Sequence, residues 1–229
     1  RRSSSLASVT FKSGIQLERI GFEVFKQTGL TSIEIPASVT SIGSQAFRLA
    51  PSLASVSFAS GSLLQSIGSQ AFLSTGLTSI AIPASVTSIG SNAFPLSLAS
   101  VTFASGSQLE SIGDNAFRST GLTSIAIPAS VTSIGDSAFH STSSLTNVSF
   151  DAKSRLTSIG TNIFQSSGLT TFTAPLSVLT VFSVAASPPT QTVSGKAGVT
   201  VIDNTPDPTC FPAGTPVQTD QGVTTIEQL

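Results

Sequence analysis

Residues 76–94 read GLTSIAIPASVTSIGSNAF, and residues 97–117 read SLASVTFASGSQLESIGDNAF. The two share an Ile-Gly step and a closing Ala-Phe. Outward from them the Ile-Gly step recurs with its glycine at Gly21, Gly43, Gly68, Gly90, Gly113, Gly135 and Gly160, which makes seven repeats. The steps are 22, 25, 22, 23, 22 and 25 residues, so a short and a long unit alternate. Self-similarity at this period is the signature of a solenoid, in which each unit buries its apolar face only against its neighbours.

Within a unit, Leu-x-x-Ile-x-Ile (Leu77, Ile80, Ile82) or Leu-x-x-Val-x-Phe (Leu98, Val101, Phe103) ends in alternation, which predicts a short strand with one buried face. Stacked copies then form a parallel sheet. Pro36, Pro83 or Pro128 follows the strand in the short unit and ends pairing, since proline lacks the backbone donor. A second inward edge comes from pairs such as Val86/Ile89 and Leu109/Ile112. After each Ile-Gly stands Ser44, Ser69, Ser91, Asp114, Asp136 or Thr161, all helix N-cap types, so one helical turn is expected there. Asp114 and Asp136 read as equivalent caps and not as an acid/base pair. The closing rings Phe47, Phe72, Phe94, Phe117, Phe139 and Phe164 are expected to stack as one buried column.

These units resemble the BspA-like class of leucine-rich repeats, L-x-x-I-x-I-P-x-x-V-x-x-I-G-x-x-A-F, over about residues 6 to 175. The resemblance implies a right-handed leucine-rich-repeat solenoid of about seven repeats, mainly β with short helical turns. Many relatives carry a small buried cysteine where this chain has Thr28, Thr75, Thr120, Thr142 or Ser167, whose hydroxyls must find hydrogen bonds. Relatives are mostly adhesive or protein-binding surface proteins, which implies an extracellular or cell-surface setting. The first unit starts mid-repeat at Leu6 without a polar cap, as expected of a fragment of a longer array, and LSVLTVFSVAAS (176–187) reads as a C-terminal cap. The expected division is 1–186 solenoid with cap, 187–209 proline-containing linker with one strand in GKAGVTVIDN, and 210–229 a separate beginning.

Composition narrows the function. The 229 residues include 39% hydrophobic but only 9% charged residues, so hydroxyls cover the exterior. Ten Lys plus Arg against eleven Asp plus Glu leave a net charge of −1, which offers no field for nucleic acid or an anionic membrane. No run of about eighteen apolar residues is present, so membrane insertion is not expected. Fifteen Phe with no Trp, Tyr or Met fit one aromatic position reused by a repeat. Cys210 is the single cysteine, and neither a disulfide framework nor a metal or cofactor site is expected.

One stretch carries distinct chemistry. Cys210-Phe211-Pro212-Ala213-Gly214-Thr215-Pro216-Val217, with Gly222 and Ile226-Glu227-Gln228-Leu229 behind it, resembles the opening of Hint domains, the fold of hedgehog autoprocessing domains and inteins. The resemblance implies that the Cys210 thiolate attacks the Thr209 carbonyl and forms a thioester. The family draws a base from a downstream T-x-x-H element, which the 229 residues do not include, so this chain alone is expected to stay uncut. His140 reads as a solvated turn residue, and Asn147, although Asn147-Val148-Ser149 fits a glycosylation acceptor, as an outward-facing polar residue of a strand.

The remaining surface feature is the outward side of the strands. Ser32/Glu34, Ser55/Ser57, Ser79/Ala81, Ser100/Thr102, Ser124/Ala126 and Asn147/Ser149 form a ladder of small groups. Its steps are expected at a strand spacing of about 4.8 Å. A non-enzymatic domain that binds a protein or glycan ligand on this face is the favoured reading. The alternative is self-association into a sheath, filament or ice-contacting face.

Overall fold

The computed structural model describes residues 4–12, 14–182, 190–193, 196–204, 216–219 and 222–225. Each coil contributes a two-residue and a four-residue strand. The first half holds β1 (Arg19–Ile20), β2 (Ser32–Ile35), β3 (Ser41–Ile42), β4 (Ser55–Phe58), β5 (Ser66–Ile67), β6 (Ser79–Ile82) and β7 (Ser88–Ile89). The second holds β8 (Ser100–Phe103), β9 (Ser111–Ile112), β10 (Ser124–Ile127), β11 (Ser133–Ile134), β12 (Asn147–Phe150), β13 (Ser158–Ile159) and β14 (Thr171–Ala174). A helix α1 (Leu176–Val181) follows, then β15 (Thr190–Val193), β16 (Lys196–Asp203), β17 (Pro216–Thr219) and β18 (Gly222–Thr225). The short strands pair in parallel as a seven-stranded sheet, β1-β3-β5-β7-β9-β11-β13, which confirms the expected parallel-sheet solenoid.

The long strands differ from expectation. They form no continuous sheet but the pairs β2-β4 and β6-β8 and the run β10-β12-β14-β16-β15. The breaks follow β4 and β8, whose terminal Phe58 and Phe103 stay half-buried. Where the equivalent Phe150 is buried against Phe172 and Phe182, pairing continues. The half-buried phenylalanines thus coincide with an open ladder and the buried one with a paired ladder.

The segment after each Ile-Gly is a turn, which corrects the expected helical turn and its N-caps. Gln45, Gln70, Asn92, Asn115, Ser137 and Asn162 take φ between 53 and 59°, a left-handed conformation that interrupts a right-handed helix. Their amides bond the neighbouring coil: Gln45 N–H donates to Ser69 O at 2.9 Å and Phe47 N–H to Ala71 O at 2.8 Å. A similar coil on each side offers carbonyls at strand spacing, so backbone groups are satisfied between coils and need no helix.

Inside, Phe25, Phe47, Phe72, Phe94, Phe117, Phe139 and Phe164 form the stacked column, with centroids 4.9 to 6.0 Å apart. Aromatic pairs at this distance add to area burial by about 0.5–1.5 kcal/mol each. The buried threonines satisfy themselves locally: Thr28, Thr75 and Thr120 donate to the carbonyls of Phe25, Phe72 and Phe117 at 2.8 to 2.9 Å. A hydroxyl is therefore accepted at the cysteine position because each Phe carbonyl lies three residues back.

At the C-terminal end, α1 buries Val178 and Leu179, and Phe182 packs on Phe164 and Phe172. These contacts cover the end of the phenylalanine column over residues 176–182. Part of the stretch read as a linker joins the solenoid, because β16 pairs in parallel with β14 and Asn204 Nδ2 donates to Phe150 O at 3.0 Å.

Candidate binding face

The outward ladder lies where the alternation puts it. Ser55, Ser57, Ser79, Ala81, Ser100, Thr102, Ser124, Ala126 and Asn147 are exposed, and Ser149 is half-buried. Register brings Ser79 beside Ser100 and Ala81 beside Thr102, and Ser124 beside Asn147 and Ala126 beside Ser149. Ser55 and Ser57 pair instead with Ser32 and Glu34. The breaks after β4 and β8 therefore divide the ladder into groups.

Beside the ladder lie three clefts that the sequence reading missed. Each sits over a short coil, between the protruding loops of the long coils around it. The first, about 610 Å³, lies over Pro36 and Ala37 with Phe11 and Lys12 on one wall and Ala59 on the other. The second, about 690 Å³, lies over Pro83 and Ala84 between Phe58 and Ala104. The third, about 760 Å³, lies over Pro128 and Ala129, with Phe103 and Ala104 on one wall and Asp151 and Asn204 on the other. Ala59 lines the first and second clefts and Ala104 the second and third, so the clefts are contiguous. The second and third open at the two breaks in the ladder. Their signal was present in the sequence as the alternation of a long ASGS loop with a short IPAS turn.

Asp114 and Asp136 cap no helix but tie coils together. Asp114 Oδ1 accepts the Asp136 N–H at 2.9 Å, and Asp136 Oδ1 accepts the Thr161 N–H at 2.6 Å and its hydroxyl at 3.0 Å. The Thr161 amide, aided by the hydroxyl, holds the Asp136 carboxyl below its ordinary range. A depressed folded-state pKa gives stability that is full above the unfolded value, about 4, and lost as pH falls through the folded one. Acid titration of thermal unfolding is expected to show a smaller loss below pH of about 4 for Asp136→Ala than for the parent. Parallel curves for the two proteins would remove the carboxylate from the inter-coil ladder.

His140 Nδ1 lies 2.7 Å from the Ser141 hydroxyl in its turn. Thr209 and Cys210 lie outside the described residues. Further along the sequence β17 and β18 pair antiparallel, Val217 opposite Thr224. Among the described residues, no helix is long and apolar enough to cross a membrane.

Stacked coils, a parallel sheet of two-residue strands and a column of repeat phenylalanines define a leucine-rich-repeat solenoid. A profile described as the BspA type leucine rich repeat region matches residues 1–97 and 65–186 in six copies. The chain belongs to that family. Among solved structures it is similar to a leucine-rich-repeat protein of T. pallidum, with 23% identity, 68% of this chain and 72% of that one covered, and a TM-score of 0.51. It is also similar to the pneumococcal vaccine antigen PcpA, at 24% identity and a TM-score of 0.44, with 72% of this chain covered. The chain spans 55% of the length of that antigen. A leucine-rich cell surface protein of Faecalibacterium prausnitzii matches at 24% identity over 87% of this chain and 68% of its own, with a TM-score of 0.46. No curated protein sequence matches the chain.

Proposed function

We propose that the chain is a non-enzymatic binding domain, displayed outside the cell or on its surface, that holds a protein or glycan ligand across its strand ladder. The observation that carries this is the ladder: small residues from Ser55 to Ser149, uncharged and almost all exposed, repeated along the stack. The surface setting rests on the family to which the chain belongs. Flat repeated contacts spread the binding energy, so no single residue dominates, in contrast to interfaces anchored on Trp, Tyr or Arg. Changing Ser79, Ser100 and Ser124 together to Lys is expected to abolish capture of a partner in a pull-down, and each change alone to weaken it little. One substitution that abolishes capture while the triple variant retains it would sink the flat-face reading. Ligand-free filaments growing with concentration in light scattering would move the function to self-assembly.

We further propose that the Thr209-Cys210 bond is cut when the chain is joined to a complete Hint domain. The CFPAGTPV match and the antiparallel pairing of β17 with β18 support this. The Cys210 sulfur attacks the Thr209 carbonyl carbon, the C–N bond breaks, the Cys210 amine takes the proton, and a thioester remains. Mass spectrometry of the protein extended to its natural C-terminus should show a dithiothreitol-accelerated fragment ending at Thr209 that Cys210→Ala abolishes. Cleavage that survives Cys210→Ala would leave Cys210 a spare thiol.

A further inference from the structure

We propose that the row of contiguous clefts takes a proline-rich segment in the polyproline II conformation, one ligand turn to each cleft. This goes beyond the ladder reading above, since the clefts lie beside the ladder, and rests on the chain being a binding domain. The first argument is pitch. Successive clefts are two coils apart, roughly 9.6 Å where the coils pair in the continuous seven-stranded sheet. A polyproline II helix advances about 9.3 Å per turn of three residues. Every third residue of such a ligand therefore meets the next cleft. An added β-strand repeats its side chains at roughly 6.6–6.8 Å, and an α-helix at about 5.4 Å per turn, so both fall out of phase.

The second argument is chemistry. Half-buried Phe58 stands in the wall of the middle cleft, above a floor of Pro83 and Ala84. Aromatic-lined apolar grooves are the surfaces on which proline-rich segments dock. A polyproline II backbone makes no internal hydrogen bonds, so its carbonyls need donors. Ser62 and Gln108 stand on the rim of the middle cleft to supply them. The third argument is charge. The middle cleft is lined by uncharged residues only, whereas Lys12, Glu34 and Asp151 stand in the outer two. No charged residue occurs between Arg48 and Glu110 in the chain. A neutral segment across the centre meets no desolvated charge, which an acidic or basic peptide would carry with it.

The test uses fluorescein-labelled oligoprolines of roughly six, nine and twelve residues, two to four turns, and a Gly-Ser peptide matched to the longest. Fluorescence polarisation with the full chain is expected to show affinity rising with each turn until three clefts are filled, and no binding of the Gly-Ser peptide. Ala104→Lys places a charge in two clefts from an exposed position, and should weaken the long oligoproline by about tenfold or more. Ser158→Lys, exposed on the seven-stranded sheet, should leave it unchanged, and circular dichroism of both variants should match the parent. Absence of saturable oligoproline binding, indifference to Ala104→Lys, or displacement by a neutral cello-oligosaccharide would each overturn the proposal. If the oligoprolines fail while the serine-to-lysine triple variant still loses its pull-down partner, the cleft occupant is wrong and the binding domain stands. If that partner is also retained, both readings fall.

Discussion

Replacing Phe117 by Ala is expected to lower the stability of the solenoid by about 3 to 5 kcal/mol. The ring is fully buried, with its centroid 4.9 Å from that of Phe94 and 5.2 Å from that of Phe139. Its backbone has little freedom to collapse into the space left behind, because its N–H donates to Ala138 O at 2.9 Å and its carbonyl accepts the Thr120 hydroxyl at 2.9 Å. A cavity therefore persists between two rings that each lose a stacking partner. Because a solenoid is held by nearest-neighbour interfaces, a gap in mid-array uncouples the coils on either side. Chemical denaturation followed by circular dichroism measures this, with Phe103→Ala as the comparison. Phe103 is half-buried at the end of β8, so its loss opens a cleft and encloses no void. An unchanged midpoint for Phe117→Ala, or equal losses for the two variants, would mean that the column does not hold the fold.

The period, the strand positions and the phenylalanine column were legible because each is a repeated apolar identity, and burial is decided by that identity. Leu77, Ile80, Ile82, Val86, Ile89 and Phe94 all fall inside, as the alternation and spacing require. The turn after Ile-Gly was misread for a definite reason. Ser and Asp are good N-caps, but the residue that follows them in each coil, such as Asn92 or Asn115, decides the path by entering the left-handed region. Asn is among the non-glycine residues most often found there, so the signal lay one position further on. The coil-to-coil role of Asp136 was not legible, since its partner Thr161 is 25 residues away and meets it only through stacking. The breaks in the ladder, and with them the clefts, depend on whether a terminal phenylalanine is clamped. Phe58, Phe103 and Phe150 read alike in sequence, and only the C-terminal cap distinguishes the last.

Gly90→Ala is expected to cost roughly 3 kcal/mol or more, at or above the upper range for overpacked sites. A Cβ at Gly90 would lie 2.5 Å from Ser69 N and 2.7 Å from the carbonyl carbon of Gly68, both backbone atoms of the adjoining coil. Backbone cannot rotate aside as a side chain does, so the coils must separate. Separation strains the hydrogen bond from Gly90 N–H to Ile67 O, 2.8 Å, and the neighbouring β5–β7 pairing of Ile67 with Ile89. The repeat therefore spends its glycine on close approach, not on an unusual φ. Gly106→Ala separates the two effects, because Gly106 has φ of +73° and open space around its would-be Cβ. That variant bears only the left-handed penalty of about 1–2 kcal/mol. Denaturation midpoints and amide hydrogen exchange at Gly90 and Ile89 measure the difference. Equal destabilisation by the two substitutions, or unchanged exchange in Gly90→Ala, would show that the Ile-Gly step serves conformation and that coil spacing is set elsewhere.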